Sequence, residues 1–280
     1  LSIIILLLHI GPAMARNLGP GAELTTNQSI CSDSGGYCLV LQADNNLVLY
    51  GQNSQPLWAS NTVGTGAVRA TMQSDGNFVL CTSTNVAVWS AQENHPGSYL
   101  AVQDDGNLVL YWPRPIWQSG TSDPSNIQGN QTFIFNSNDQ LTPGNCYSIG
   151  ALCFVFQTDG NLVLYKSGTA AWAAGSNGAR TAVMQSDGNF VLYDGQRAVW
   201  STGTQSSAGA YFAFQGDGNL VIYAPTPVWD RFSGALPLPG SAPVPVTPIP
   251  RPPPSYCGTV NPFVCSPGPM FPVYYWKSAT

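Results

Sequence analysis

Gln103, Asp105, Asn107, Val109 and Tyr111 stand at alternate positions of one short stretch. Two amides, a carboxylate and a phenol supply hydrogen-bond donors and acceptors, and the valine adds a small apolar contact. That inventory suits the vicinal hydroxyls and C–H surface of a sugar. The pattern returns at Gln42, Asp44, Asn46, Val48 and Tyr50, and again at Gln157, Asp159, Asn161, Val163 and Tyr165. It recurs at Gln185, Asp187, Asn189, Val191 and Tyr193, and at Gln215, Asp217, Asn219, Val221 and Tyr223. A sixth copy, Gln73, Asp75, Asn77 and Val79, ends in Cys81 where the others have tyrosine.

The same residues lack what catalysis needs. A glycosidase places two carboxylates about 5 to 10 Å apart across one bond, whereas each copy has one recurrent aspartate, and Asp104 beside Asp105 is not repeated. Outside the N-terminal apolar stretch the one histidine is His95, in a connector, which leaves nucleophile–base pairs and zinc sites without their groups. A single carboxylate per loop is too few hard ligands for calcium. The expectation is a binding protein, not an enzyme, without cofactor or metal. Asp, Gly and Asn could serve only to turn a hairpin, but that leaves the recurring Gln, Val and Tyr unexplained.

The elements that must hold these side chains are set by the repeat. Within each half of the chain the copies start about thirty residues apart, the signature of a stacked supersecondary unit. Around Ser74-Asp75-Gly76 the apolar residues alternate, as in a hairpin with a three-residue loop whose last position takes positive φ. Asn45, Gly76, Gly106, Gly160, Gly188 and Gly218 occupy that position. The loop sets Gln73 opposite Asn77 and Met72 opposite Phe78, so Met72, Phe78 and Leu80 face a core while Gln73, Asn77 and Val79 face outward. A tryptophan stands 14 to 16 residues after each Gln, at Trp58, Trp89, Trp117, Trp172, Trp200 and Trp229. It marks a third strand and reads as core, three meeting around a pseudo-threefold axis.

No segment has helical periodicity, and short strands punctuated by Gly, Asn and Ser predict an all-β chain. Residues 1–15 read as a truncated signal peptide, 16–123 and 124–232 as two tandem domains, and 233–280 as a proline-rich linker with a Cys-bracketed tail. The second domain repeats a Leu-Thr pair at Leu141-Thr142 to match Leu24-Thr25. Charged residues are 8 % of the 280 against about a quarter in ordinary domains. A net charge of −5 without a Lys/Arg cluster argues against nucleic acid or an anionic membrane as partner, and nothing after the leader is apolar enough to span a bilayer. Cys31 with Cys38 and Cys146 with Cys153 stand at matching offsets 115 residues apart, Cys257 and Cys265 form a third candidate pair, and Cys81 is left over. Together with the sequons at Asn27 and Asn130, they fit a secreted or extracellular protein, with vacuolar storage as another destination.

At the motif residues the chain resembles the monocot mannose-binding, or bulb-type, lectins, whose signature is Gln-x-Asp-x-Asn-x-Val-x-Tyr three times per domain. The likeness covers residues 17–232 and implies two tandem β-prism II domains, each with three four-stranded antiparallel sheets about a pseudo-threefold axis. It implies that Asp105 and Asn107 hold the axial 2-hydroxyl of mannose, Gln103 the 3-hydroxyl and Tyr111 the 4-hydroxyl, with Val109 against the ring. The same roles fall to the first copy and to the three copies of the second domain. Loss of the phenol at Cys81 implies a weak or silent second site. Family members commonly tie the residue between Asp and Asn of the first copy to a cysteine shortly before the second, where this chain has Asn45 and Gly160. Partners implied are mannose and mannose-rich glycans or glycoproteins, in a defence role, with homo-oligomers left open. The rival reading is a structural or protein-binding module that keeps the scaffold with degenerate sugar sites.

Overall fold

The computed structural model describes residues 17–129 and 131–239. Residues 1–16 with the expected signal peptide, Asn130 of the second sequon, and residues 240–280 with Cys257 and Cys265 lie outside the described residues. The chain divides into two compact units, which within the described residues are 17–112 with 227–239 and 113–226.

Each hairpin forms as its turn residues dictate. Met72 pairs with Phe78 and Ala70 with Leu80, the Gln73 amide donates to the Asn77 carbonyl at 2.8 Å, and the Gly76 amide donates to the Gln73 carbonyl at 3.0 Å. The last loop residue has positive φ in all six copies, from 74° at Asn45 to 93° at Gly76. Close approach adds a second demand for glycine, since a Cβ at Gly76 would lie 2.0 Å from the His95 carbonyl oxygen and one at Gly188 2.2 Å from that of Ser207. The connector after each of these third strands therefore passes directly over the turn.

In unit 1, one sheet holds strands 29–31, 38–41, 47–50 and 56–59, and a second holds 23–25, 67–72, 78–82 and 87–90. In unit 2 the corresponding sheets are 146–149, 152–156, 162–166 and 169–173, then 181–184, 190–194 and 197–201. Neighbouring strands in these sheets run antiparallel. The last sheet has three strands instead of the expected four. Its fourth is reduced to a single bridge from Gln140 to Val183. In unit 1 the Thr26 amide donates to the Val68 carbonyl, but the matching position is Pro143, which has no N–H with which to extend the ladder.

The two compact units divide the chain otherwise than the expected 16–123 and 124–232. Strand 108–118 gives residues 108–112 to unit 1 and 113–118 to unit 2, while strand 220–230 gives 220–226 to unit 2 and 227–230 to unit 1. In unit 1 the Arg231 amide donates to the Leu108 carbonyl, and in unit 2 the Ser119 amide donates to the Leu220 carbonyl. The tryptophan trios obey the same exchange. Trp58, Trp89 and Trp229 meet edge to face with centroids 5.6 to 6.0 Å apart, and Trp117, Trp172 and Trp200 do so at 5.8 to 6.0 Å. Proline explains the exchange. The other copies reverse after the motif through positive-φ residues such as Asn53, Asn85, Gly168 and Gly195. The third and sixth continue as Trp112-Pro113-Arg114-Pro115 and Ala224-Pro225-Thr226-Pro227, where each residue before a proline is pushed to extended backbone and none has the positive φ of the other reversals.

The inward residues form one core per unit. Met72, Phe78, Leu80, Leu24, Leu39 and Leu100 share the first. The second is richer in aromatics, with Phe190 against Phe212 at 4.8 Å and Phe154 against Phe212 at 5.3 Å. Each such fully buried side chain stabilises the fold by about 1.5 to 3 kcal/mol, the main support of a chain with so few charged residues. Disulfides join Cys31 to Cys38 and Cys146 to Cys153. Cys81 is also disulfide-bonded and is not left over. No helix among the described residues is long and apolar enough to cross a membrane.

Candidate carbohydrate-binding site

Each motif sits on the outward face of a hairpin, and its polar atoms divide between holding the turn and facing solvent. In all six copies one aspartate oxygen, Oδ1, accepts the amide of the motif asparagine, at 2.8 to 3.0 Å. The turn function of Asp is therefore real, and it uses one of two oxygens. The asparagine carbonyl is also committed in most copies. Asn46 Oδ1 accepts from the Thr62 amide and Ser60 hydroxyl, Asn161 Oδ1 from the Ser176 amide, and Asn189 Oδ1 from the Thr202 hydroxyl and Thr204 amide. These bonds fix the amide plane and leave its N–H2 group as the donor for a ligand.

At the other end of the face, the motif glutamine donates from Nε2 to the motif tyrosine hydroxyl. The distances are 2.8 Å for Gln42–Tyr50, 2.9 Å for Gln103–Tyr111 and Gln185–Tyr193, and 3.0 Å for Gln157–Tyr165 and Gln215–Tyr223. The pair orients the glutamine carbonyl as an acceptor and leaves the phenol its O–H to donate. Burial pushes the Tyr111 phenol above its ordinary range, helped by the Asp105 charge and opposed by the Gln103 hydrogen bond, so it is a neutral donor at physiological pH.

The valines differ from the sequence reading. Val48, Val79, Val109, Val163, Val191 and Val221 keep only 2 to 4 % of their surface exposed. Each acts as the spacer beneath the polar groups and offers a ligand little apolar area.

The six copies are not equivalent. Asp44, Asp75, Asp105, Asp159 and Asp187 are exposed. Asp217 is only partly buried, but its second oxygen accepts from the Ser122 hydroxyl at 2.6 Å, and Asn219 beside it is buried. Segment 121–128 is held over this copy by the Asp123 amide on the Asp217 carbonyl and the Gln128 amide on the Gly216 carbonyl. An ion pair from Lys166 to Asp123, with Ser125 adding a hydrogen bond, holds the Asp123 carboxyl below its usual range. In the second copy Cys81 is buried with Val79, Asn77 is buried, and Glu93 packs beside it with His95 at 3.1 Å. Burial pushes the Glu93 carboxyl upward, against the pull of His95. Of the up to five complete sites read from the sequence, the first, third, fourth and fifth have an exposed aspartate, and in the sixth Asp217 is bonded to Ser122.

The position where the family resemblance places a disulfide is served differently in the two units. The Asn45 side chain donates to the Ala67 carbonyl at 2.9 Å and accepts from the Gly66 amide at 3.2 Å, a non-covalent tie to the chain just before the second copy. At Gly160 the backbone itself closes in, with the Ala179 nitrogen 2.1 Å from where a Cβ would stand. Residues the sequence reading missed are Ser122, Tyr37 and the cross-strand partners of the motif tyrosines. Tyr99 and Tyr211 both stand four residues before their glutamines, a regularity through which the sequence could have shown them.

No protein-family model matches the chain. Among curated proteins it is similar to mannose-specific lectin 2 of Colocasia esculenta, 30 % identical over 256 residues that cover 81 % of this chain and 94 % of that protein. The chain belongs to the bulb-type mannose-binding lectin family. As in that family, it is a non-enzymatic lectin. It is also similar to a mannose-specific lectin of Aloe arborescens, 45 % identical over 91 residues covering 31 % of this chain and 82 % of that one. Among solved structures, a two-domain fetuin-binding lectin of Scilla campanulata superposes with a TM-score of 0.43 at 30 % identity over 77 % of this chain and 99 % of that one.

Proposed function

We propose that this lectin binds mannose and mannose-containing glycans through the faces of Gln42–Tyr50, Gln103–Tyr111, Gln157–Tyr165 and Gln185–Tyr193. The observation that carries the reading is the shared arrangement at all four. A glutamine–tyrosine pair leaves a carbonyl acceptor and a phenolic donor, and an exposed aspartate leaves its second oxygen beside an oriented asparagine amide. A single shallow site trades water hydrogen bonds for sugar ones, so its affinity is on the order of millimolar. Several faces meeting one branched glycan raise the working affinity by avidity. The disulfides Cys31–Cys38 and Cys146–Cys153, with Cys81 also disulfide-bonded, support export to an oxidising compartment.

Isothermal titration with methyl α-mannoside tests the reading. The expected result is about four equivalent sites per chain with millimolar constants. No uptake by a folded protein overturns it.

A further inference from the structure

We propose that the third copy is a two-residue glycan site, with one hexose on Gln103, Asp105, Asn107 and Tyr111 and the sugar linked to it seated against Tyr99. The inference rests on the mannose reading and adds a specificity-determining residue outside the motif. Tyr99 is the cross-strand partner of Tyr111, and their rings lie 5.7 Å apart at 26°. The outward face therefore continues one strand further as aromatic surface, a step of about 4.8 Å that is on the scale of a pyranose ring. Burial, with the neighbouring Tyr111, pushes the Tyr99 phenol up to about 12, so at neutral pH it offers a hydroxyl and a ring without charge.

The opposite end of the same face is closed. The Ser34 amide and hydroxyl donate to Asp104 Oδ1 at 2.8 and 2.7 Å, and the Tyr37 ring lies against the turn, its Cε1 2.6 Å from where a Cβ on Gly106 would stand. Both residues belong to the loop stapled by Cys31–Cys38. A glycan entering this site meets a wall at the turn and an aromatic floor at the tyrosine end, which directs its second residue toward Tyr99. The other open faces have no such floor. The residue opposite the motif tyrosine is Cys38 in the first copy, Cys153 in the fourth and Thr181 in the fifth. Tyr211 gives the sixth copy a ring opposite Tyr223, but there Ser122 occupies the aspartate.

The test isolates the third face in the full chain with Asp44→Asn, Asp159→Asn and Asp187→Asn, which keep an oxygen to cap each turn. Methyl α-mannoside and the α-linked mannobioses are then titrated, with tryptophan fluorescence as the check on folding. The expected result is a mannobiose bound about fivefold more tightly than the monosaccharide, in line with one aromatic contact. Tyr99→Ala should abolish that preference, bringing mono- and disaccharide affinities together, and Tyr99→Phe should keep most of it. Equal affinity for mono- and disaccharides in the isolated site, or a preference that survives Tyr99→Ala, overturns the proposal and leaves the mannose reading standing. Failure of the isolated site to take up even the monosaccharide overturns both.

Discussion

The third and sixth copies share two features that the other four lack, and they end in different states. Both have a doubled tyrosine, Tyr99 with Tyr111 and Tyr211 with Tyr223, and both take their third strand from the distant half of the sequence, 227–230 and 113–118. Yet Asp105 is open to solvent while Asp217 is held by Ser122. The difference lies in the residues just beyond the borrowed strand. After 118 the chain runs on through Ser119, Thr121 and Ser122, which bond to Asn219, to the Gly218 carbonyl and to Asp217 in turn. After 230 the chain instead turns on itself, the Asp230 carboxylate accepting the Phe232 and Ser233 amides. An identical motif is therefore open or covered according to a segment that lies far from it in sequence.

The borrowed strands give the sharpest way to break this comparison. Trp117→Ala is expected to cost about 3 to 5 kcal/mol and to expose strands 152–201 in hydrogen exchange, although residue 117 precedes them all. Trp229→Ala should cost as much and expose strands 38–90 instead. Loss of protection in the sequence-adjacent half in either case would reject the exchange.

A smaller effect separates turns that look alike in sequence. Gly188 and Gly218 both have positive φ, 92° and 81°, but the nearest atom to an added Cβ is the Ser207 oxygen at 2.2 Å in one and a Leu152 methyl at 3.5 Å in the other. Gly218→Ala should lose about 1 kcal/mol to backbone strain alone, and Gly188→Ala about 3 kcal/mol because the connector must also move. Urea midpoints at constant slope measure both.

Smallest in stability, but decisive for the open and covered faces, is Ser122→Ala. Removing one partly exposed hydrogen bond should cost about 1 kcal/mol or less, while freeing the Asp217 oxygen should raise the mannose count by one. An unchanged count would mean that the rest of segment 121–128 keeps the face shut.

Much of the fold and site is legible in the sequence because it is local. Gln-x-Asp-x-Asn-x-Val-x-Tyr fixes a hairpin, its turn type and the face each side chain takes, and the structure places Met72 opposite Phe78 with positive φ at every expected loop end. Matched offsets make Cys31 with Cys38 and Cys146 with Cys153 the candidate pairs, and the structure joins both. The burial of the valines is not legible in this way, because alternation gives a side but not the depth of burial on it. The missing fourth strand beside 181–184 is signalled only by Pro143.

By itself, then, the sequence determined the all-β units, the six hairpins and the lectin family, since alternation and turn chemistry act over a few residues. Only the tertiary structure decided which trio each tryptophan joins and which carboxylates stay open. Pro113 and Pro115 favour an extended chain but do not say where it goes; that is settled by the ring contacts that Trp117 makes with Trp172 and Trp200.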